Sequence, residues 1–369
     1  MDFVDMERGC CHRHGGCLKS PCRVSIISGK TRMISIREVA REAGVSVTTV
    51  SYVLNSKGHI SEETRQKVMD VVERLGYVPR IGAQSLRDNR ARIVGYPWNF
   101  GPSPGDVNAI LEEFLHYTMF YTEQRGRHLL LVRAPAENGL AVYDDLIKSQ
   151  RVDGFILSHT VHNDVRIRHL HKIKFPFVAF GQSTSPLDKE TCWVDVDGMN
   201  GIRMATQHLI EQGHRQIALI REPEGSVSGD ARYRGYVTAL TEAGVLYNPE
   251  LVVVAEHRVS DGYLAAQALL DLPTLPTGIV AMSDTIALGA MQALRDRGCR
   301  AAITGFDDIP LGEFLTPPLT SVRQPIQDVA ALMVEMLVQQ IDDESFVPQQ
   351  HLLLPTLVVR ASSLGDFGQ

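Results

Sequence analysis

No stretch of the 369-residue chain holds the ~20 consecutive apolar residues that a membrane span requires. The first residues also lack the apolar core of a secretory signal, so a cytoplasmic protein without membrane contacts is expected. Catalysis lacks its landmarks. There is no GxSxG elbow, no HExxH helix and no GxxxxGK[ST] loop, and His208 and His214 in HLIEQGHRQIAL read as a helix and the turn after it. Neither an enzyme nor a cofactor is expected. Cysteine is scarce: of six, Cys10, Cys11, Cys17 and Cys22 crowd the beginning beside His12 and His14, and only Cys192 and Cys299 lie elsewhere. CCHRHGGC carries the ligand types zinc prefers. Its spacing matches no standard knuckle and no apolar pattern surrounds it, so no metal site is assigned. Residues 1–32 are expected to be a disordered extension or an overlong start ahead of Met33.

Strong net charge is also missing: the formal total is only −6, which argues against indiscriminate nucleic-acid binding. The distribution says more than the sum. Between Lys30 and Arg92 twelve Lys/Arg stand against seven Asp/Glu, a net of +5 that leaves −11 for the remainder. A basic head on an acidic body suits a protein that meets phosphates with one module only. The length exceeds what one core usually serves, and with 44% hydrophobic and 22% charged residues it predicts two or three globular domains.

The head can be read residue by residue. Ile36, Val39, Ala40 and Ala43 form a helical face, Gly44 breaks it, and a second face resumes at Val47, Val50, Val53 and Leu54. Ser35 and Ser46 are suitable N-caps, because each hydroxyl can accept from an orphan amide of the turn that follows. A third helix starts at Ser61, where SEET reads as a capping box with Glu63 or Thr64 near N3, and stops at Gly76. Helix, turn, helix and a bracing third helix make a DNA-reading unit over residues 33–79, whose second helix can enter the major groove. Ser46, Val47, Thr48, Thr49, Ser51, Tyr52 and Asn55 are the candidates to meet bases and backbone there. A capped helical hairpin in some all-α domain remains the plainer alternative for this fragment alone. Residues 80–91 follow as a hinge, a basic run in which Ala83 and Leu86 are one helical turn apart beside Arg87. Leu86 is a candidate minor-groove wedge, with an ordinary linker leucine as the alternative.

From Arg92 the pattern changes to short β-rich runs alternating with helical ones, the signature of βαβ units and parallel sheets covered on both faces. Strands are expected at 93–97, 129–132, 154–158, 177–180, 193–197, 217–220, 252–255, 278–283 and 301–306, and helices at 106–125, 140–150, 200–212, 230–243, 261–271 and 285–297. Two α/β halves are expected to meet near Gly181 to Lys189, where Gly, Ser and Pro accumulate.

The chain resembles the lactose-repressor (LacI/GalR) family over roughly residues 33–363. In the head the marks are VAREAGVSVTTVSYVLN, ISEETRQKV, LGYVP and AQSLR. In the body they are RVDGFIL, FPFVAFGQ, WVDVDGMNG, ARYRGY, SDTIALGAMQALRDRG and ITGFDDIPLGEFLTPPLTSVRQP. The resemblance implies a small all-α helix-turn-helix headpiece joined to a periplasmic-binding-protein-like effector domain, 92–363, of two doubly wound parallel-sheet lobes. Its chain crossings are expected near Gly181, Gln324 and Val347, giving lobe 1 as 92–181 and 324–346 and lobe 2 as 182–323 and 347–363. It implies a homodimer, or a tetramer, on double-stranded operator DNA.

An effector is expected between the lobes, at the carboxyl ends of the strands. Arg232, Asp307 and the Ser283-Asp284 pair match family positions that reach the ligand, and His257 falls where relatives often place an aromatic. Trp98 and Phe100, just after the first strand, could stack on the C–H side of a sugar. Each has a plainer role to set beside this: a turn cap for Asp307, a surface pair with Asp230 for Arg232, core cover for Trp98. Two segments depart from the family. YPWNFGPSPGDVN replaces the usual Asn-Pro-Phe-Phe run, and Gly181-Gln182 stands where purine-responding members carry an aspartate. A neutral amide suits sugar hydroxyls better than purine nitrogens, so Gln182 joins the site and a mono- or oligosaccharide effector is favoured over a purine. The expected function is a transcriptional repressor controlled by that effector. A transport sugar-binding protein is the rival, disfavoured by the basic head.

Overall fold

The computed structural model describes residues 34–54, 58–77, 90–98, 109–134 and 139–364. They belong to two units, one up to residue 83 and one from residue 84 on. In the first, α1 (Ile36–Ala43), α2 (Val47–Leu54) and α3 (Glu62–Leu75) enclose a core of Val39, Ala40, Ala43, Val50, Val53, Val68, Val71 and Tyr77. Each helix start follows from its serine. Ser35 Oγ accepts the Glu38 N–H, and the Glu38 carboxylate accepts the Ser35 N–H at 2.8 Å, a reciprocal box. Ser46 Oγ accepts the Thr49 N–H at 3.0 Å. Ser61 Oγ accepts the Thr64 N–H at 3.3 Å, so Thr64 holds the N3 place and pairs by its hydroxyl rather than a carboxylate. Gly44 ends α1 at φ 63°, a left-handed conformation that a side chain would strain, and this turns the chain sharply into α2.

The second unit holds two six-stranded sheets. The first has the order β11-β5-β4-β3-β1-β2, all parallel, from β1 (Ile93–Trp98), β2 (His128–Arg133), β3 (Gly154–Leu157), β4 (Phe177–Phe180), β5 (Cys192–Val196) and β11 (Gln350–Leu353). The second has the order β12-β10-β9-β8-β6-β7, from β6 (Ile217–Arg221), β7 (Val252–Val254), β8 (Gly278–Ala281), β9 (Ala302–Asp307), β10 (Thr320–Arg323) and β12 (Thr356–Val358). Only β12 runs antiparallel to its neighbour. Sheets buried on both faces need strands apolar on both sides, and β3, β6, β8 and β9 are buried at every residue.

Helices cover each sheet twice. On lobe 1, α4 (Ala109–Gln124) and α11 (Ile326–Asp342) pack against Val94, Tyr96, Ile156, Val178 and Val194, while α5 (Gly139–Lys148) and α6 (Val165–Lys172) pack against Phe155, Leu157, Phe177 and Ala179 on the other face. On lobe 2, α9 (Val259–Leu270) and α10 (Asp284–Asp296) cover Ile279 and Ala281, and α7 (Gly198–Glu211) and α8 (Val227–Glu242) cover Val280 and Phe306. α6 was absent from the sequence expectation, because its inward face is part polar. Arg166 is buried there, paired with Asp164 at 2.6 Å and donating to the Ser158 and His159 carbonyls.

Two of the three expected crossings move. β5 pairs with β4 (Val178↔Cys192), so the chain stays in lobe 1 past Gly181 and leaves it only at Asp197, the N-cap of α7. The Gly/Ser/Pro-rich stretch marks a connection, but one that carries the short turn Pro186–Lys189 and returns to the same sheet. Likewise β11 pairs with β5 (Gln350↔Trp193), so the last crossing lies between Leu353 and Thr356 rather than near Val347. The crossing at Gln324 stands where expected, between β10 of lobe 2 and α11 on lobe 1. No described helix is long and apolar enough to cross a membrane.

Candidate functional site

All three crossings leave from the carboxyl ends of strands, β5, β10 and β11, and so bring those ends of the two sheets together. Contacts between the lobes gather at the same ends. Val161, after β3, forms a β-bridge with Ser226 before α8, and His162 Nε2 lies 3.1 Å from the Asp230 carboxylate. A cleft lined from both lobes results, the usual place for a ligand in such a fold.

Lobe 2 supplies most of its charge. The Arg232 guanidinium, from α8, lies 3.8 Å over the Phe306 ring, and its Nη1 donates to the Met282 carbonyl at 2.8 Å. Its Nε is buried without a hydrogen-bond partner. Glu222, directly after β6, stands 3.8 Å from Arg232 and 3.7 Å from His257. Burial would push the Glu222 carboxyl up, but His257 and Arg232 outweigh it and hold the pKa below the usual range. Burial would pull His257 down, yet Glu222 and the Asp307 charge leave it raised, so the two stabilise each other as an ion pair.

Asp307 closes β9 in a positive-φ conformation (117°) and accepts from Gln324 Nε2 at 2.7 Å. Burial pushes its pKa up to about 6, against the opposing pull of Arg232 and His257. From lobe 1, Asp195 is raised by burial and lies in the field of Arg232, and Gln182 donates its backbone N–H to it at 3.2 Å. The cleft walls and the nearby Arg166 lower His159 to about 4, which leaves a neutral imidazole facing the Glu222 and His257 charges.

Of the residues expected here, the structure brings Arg232, His257, Asp307 and Gln182 together. Ser283 and Asp284 are turned inward instead. Ser283 is fully buried and caps α10 by accepting the Ile286 N–H, and the buried Asp284 carboxylate accepts from the Ile309 N–H at 2.8 Å and the Ser321 hydroxyl at 2.6 Å. Both lie at a strand end, but Ser283 spends its side chain on the helix cap and Asp284 on the chain after β9 and on β10. Trp98 ends β1 half-buried against the lobe 1 core, its ring edge-on to Tyr96 at 6.2 Å. Phe100 lies outside the described residues. Sequence reasoning missed Glu222, His159, Asp195 and Gln324. The strand-end rule, applied to every strand rather than to family positions, points to Glu222, His159 and Gln324, each within two residues of a carboxyl end.

An Asp307→Asn substitution separates ligand chemistry from stability. A carboxyl with a raised folded-state pKa binds its proton more tightly in the folded chain than in the unfolded one. Stability therefore falls as pH rises from the ordinary carboxyl range to about 6, and the whole penalty persists above it. A rise to about 6 corresponds to on the order of 3 kcal/mol at neutral pH. The asparagine variant should melt higher than wild type at neutral pH, with a flatter pH profile, while binding effector less tightly. A lower melting temperature at neutral pH would show that Asp307 stabilises the fold as an ion.

In the first unit, α2 divides cleanly. Val50 and Val53 are buried, Thr49 and Ser51 are half-buried, and Ser46, Val47, Thr48 and Tyr52 are exposed on one side, with the two apolar members Val47 and Tyr52 at 42% and 43% exposure. Large apolar side chains left in water beside hydroxyls suit base edges and thymine methyls. Asn55, Ala83, Leu86 and Arg87 lie outside the described residues, as do the four cysteines of residues 1–32. Among the described residues no cluster of His, Cys, Asp or Glu could hold a metal ion.

A helix-turn-helix unit followed by a two-lobed binding body defines a ligand-controlled DNA-binding protein, and comparison with known proteins agrees in both parts. Residues 35–80 match the bacterial regulatory proteins of the lacI family, and residues 206–363 match the periplasmic binding protein-like domain. The ribose operon repressor of Halalkalibacterium halodurans is 32% identical over 90% of this chain and 98% of its own. A structure of the transcriptional regulator CelR in complex with cellobiose is 30% identical, with a TM-score of 0.69 over 89% of this chain and 99% of that one. The lac repressor dimer bound to operator and the anti-inducer ONPF is 25% identical, with a TM-score of 0.80 over 90% of this chain and all (100%) of that one. The chain belongs to the LacI family of DNA-binding transcriptional regulators.

Proposed function

We propose that the protein is a repressor that binds a pseudo-palindromic operator as a homodimer and is released or recruited by a carbohydrate bound between its lobes. The observation that carries the effector assignment is the cleft chemistry: Glu222, Arg232, His257, Asp307 and Gln324 offer charged and amide groups in adjoining positions at the strand ends. Such donors and acceptors in alternation match the hydroxyls of a sugar ring. The relatives point the same way, one named for a ribose operon and one solved with cellobiose. Dimerisation is supported by need and by surface. One α2 helix touches too few base pairs to be selective. The turn Pro310–Phe314 leaves Leu311 at 53% and Phe314 at 79% exposure, an apolar patch of the kind that copies bury. The ordering on DNA of the hinge from Arg80 to Asp88, with Leu86 as a wedge, is the proposed link between cleft and operator. This is a regulator's design rather than an enzyme's, acting in the cytoplasm.

The test is a thermal-shift screen of the full chain against mono- and disaccharides, followed by operator binding with each stabilising sugar. At least one sugar should both raise the melting temperature and move operator affinity. Stabilisation by hypoxanthine or guanine alone would replace the carbohydrate with a purine.

A further inference from the structure

Glu222 brings to the cleft a carboxylate held by charge. Its two contacts, 3.8 Å to Arg232 Nη1 and 3.7 Å to His257 Nδ1, are ion pairs longer than a hydrogen bond, which leaves acceptor capacity for a closer donor. Arg232 is in the complementary condition. One nitrogen is used by the Met282 carbonyl and the plane is stacked on Phe306, while Nε–H is buried without a partner. A buried donor left unmade is costly, and the same guanidinium approaches Glu222 through Nη1 at 3.8 Å without closing a hydrogen bond, so a cation stands beside an acceptor with room for a donor.

One group satisfies both at once. A hydroxyl donates and accepts, so it can give its proton to Glu222 and take one from Arg232. A phosphate or carboxylate group only accepts, and would bring like charge up to Glu222, with Asp307 close by. We propose that Glu222 is a specificity-determining residue that selects an uncharged, hydroxyl-bearing effector and rejects the phosphorylated or uronate form of the same sugar. The inference rests on the carbohydrate reading above and narrows it to neutral sugars.

Isothermal titration of the full chain against a panel of mono- and disaccharides, each beside its phosphorylated and uronate forms, tests the selection in wild type before any substitution is made. A neutral sugar should bind, and its anionic forms should bind at least about thirtyfold more weakly, since a site built around a hydroxyl leaves its own polar groups unpaired with the wrong ligand. Glu222→Gln should lose about tenfold for the neutral sugar and, with the negative charge gone, narrow the preference against anions. Glu222→Asp, which shortens the arm but keeps the charge, should lose affinity yet keep rejecting anions. A merely structural role would weaken every ligand alike and leave the ratio unmoved, and that outcome overturns the proposal. Binding of anionic sugars as tight as or tighter than their neutral forms overturns it while leaving the carbohydrate reading standing. Binding of no carbohydrate of either charge overturns both.

Discussion

Arg232→Ala should leave a protein that holds its operator as firmly as wild type and no longer responds to effector. The guanidinium lies on Phe306, anchors to the Met282 carbonyl at 2.8 Å and approaches Glu222 at 3.8 Å through Nη1. Charged hydrogen bonds contribute about 1.5–3 kcal/mol each, so losing the Arg232 donors should weaken effector binding by about a hundredfold or more. The loss also removes the cation that faces Glu222, Asp195 and Asp307, leaving three carboxyls in one space with His257 as their main counter-charge. Their ionisation then opposes itself, which should shift the remaining weak binding toward lower pH. Operator affinity without effector should stay within about twofold, because the groups that Arg232 touches, Phe306, Met282 and Glu222, all belong to lobe 2 and none to the headpiece. Titration calorimetry and operator anisotropy on the same preparation measure both quantities. Unchanged effector affinity would remove Arg232 from the site.

The second large effect belongs to the other unit. Tyr52→Glu places a carboxylate on the exposed side of α2, where Val47 and Thr48 also face solvent. A lost base contact is worth about 1–3 kcal/mol, and the new charge meets the phosphates as well, so operator affinity should fall by at least about a hundredfold. Tyr52 is 43% exposed and outside the core of Val39, Val50, Val53 and Val68, so headpiece melting should hardly move. Effector affinity should not change. An operator loss of less than about threefold would mean that another face of the headpiece reads the groove.

The legible parts of the sequence were those with a local physical cause. Serine caps before apolar periodicity placed all three headpiece helices, because capping and helical spacing are settled within a turn or two. The β-α alternation gave the α/β architecture for the same reason. What the sequence did not show depends on partners far along the chain. Whether 192–196 joins lobe 1 or lobe 2 is decided by pairing with Val178 and with Gln350, not by the glycines and prolines before it. α6 stayed hidden because Arg166 and Asp164 share its buried face with only two hydrophobes, Ile167 and Leu170. Residues carried over from the family divided between the cleft and the interior of lobe 2. Arg232, His257 and Asp307 meet in the cleft, whereas Asp284 turns to Ile309 and Ser321 inside lobe 2. The strand end marks Glu222, but its pairing needed three dimensions, since nothing in IALIREPEG says that His257, thirty-five positions on, comes to face it.

The coupling of a sugar cleft to a paired DNA reader is tested most directly by one titration. The full chain is added to a fluorescent duplex carrying its selected operator, with and without the sugar that most raises its melting temperature. Two chains should bind each duplex, and the sugar should move the midpoint by at least about tenfold, the range of an allosteric coupling of 1–3 kcal/mol. One chain per duplex, or a midpoint unmoved by every sugar that stabilises the protein, would contradict it.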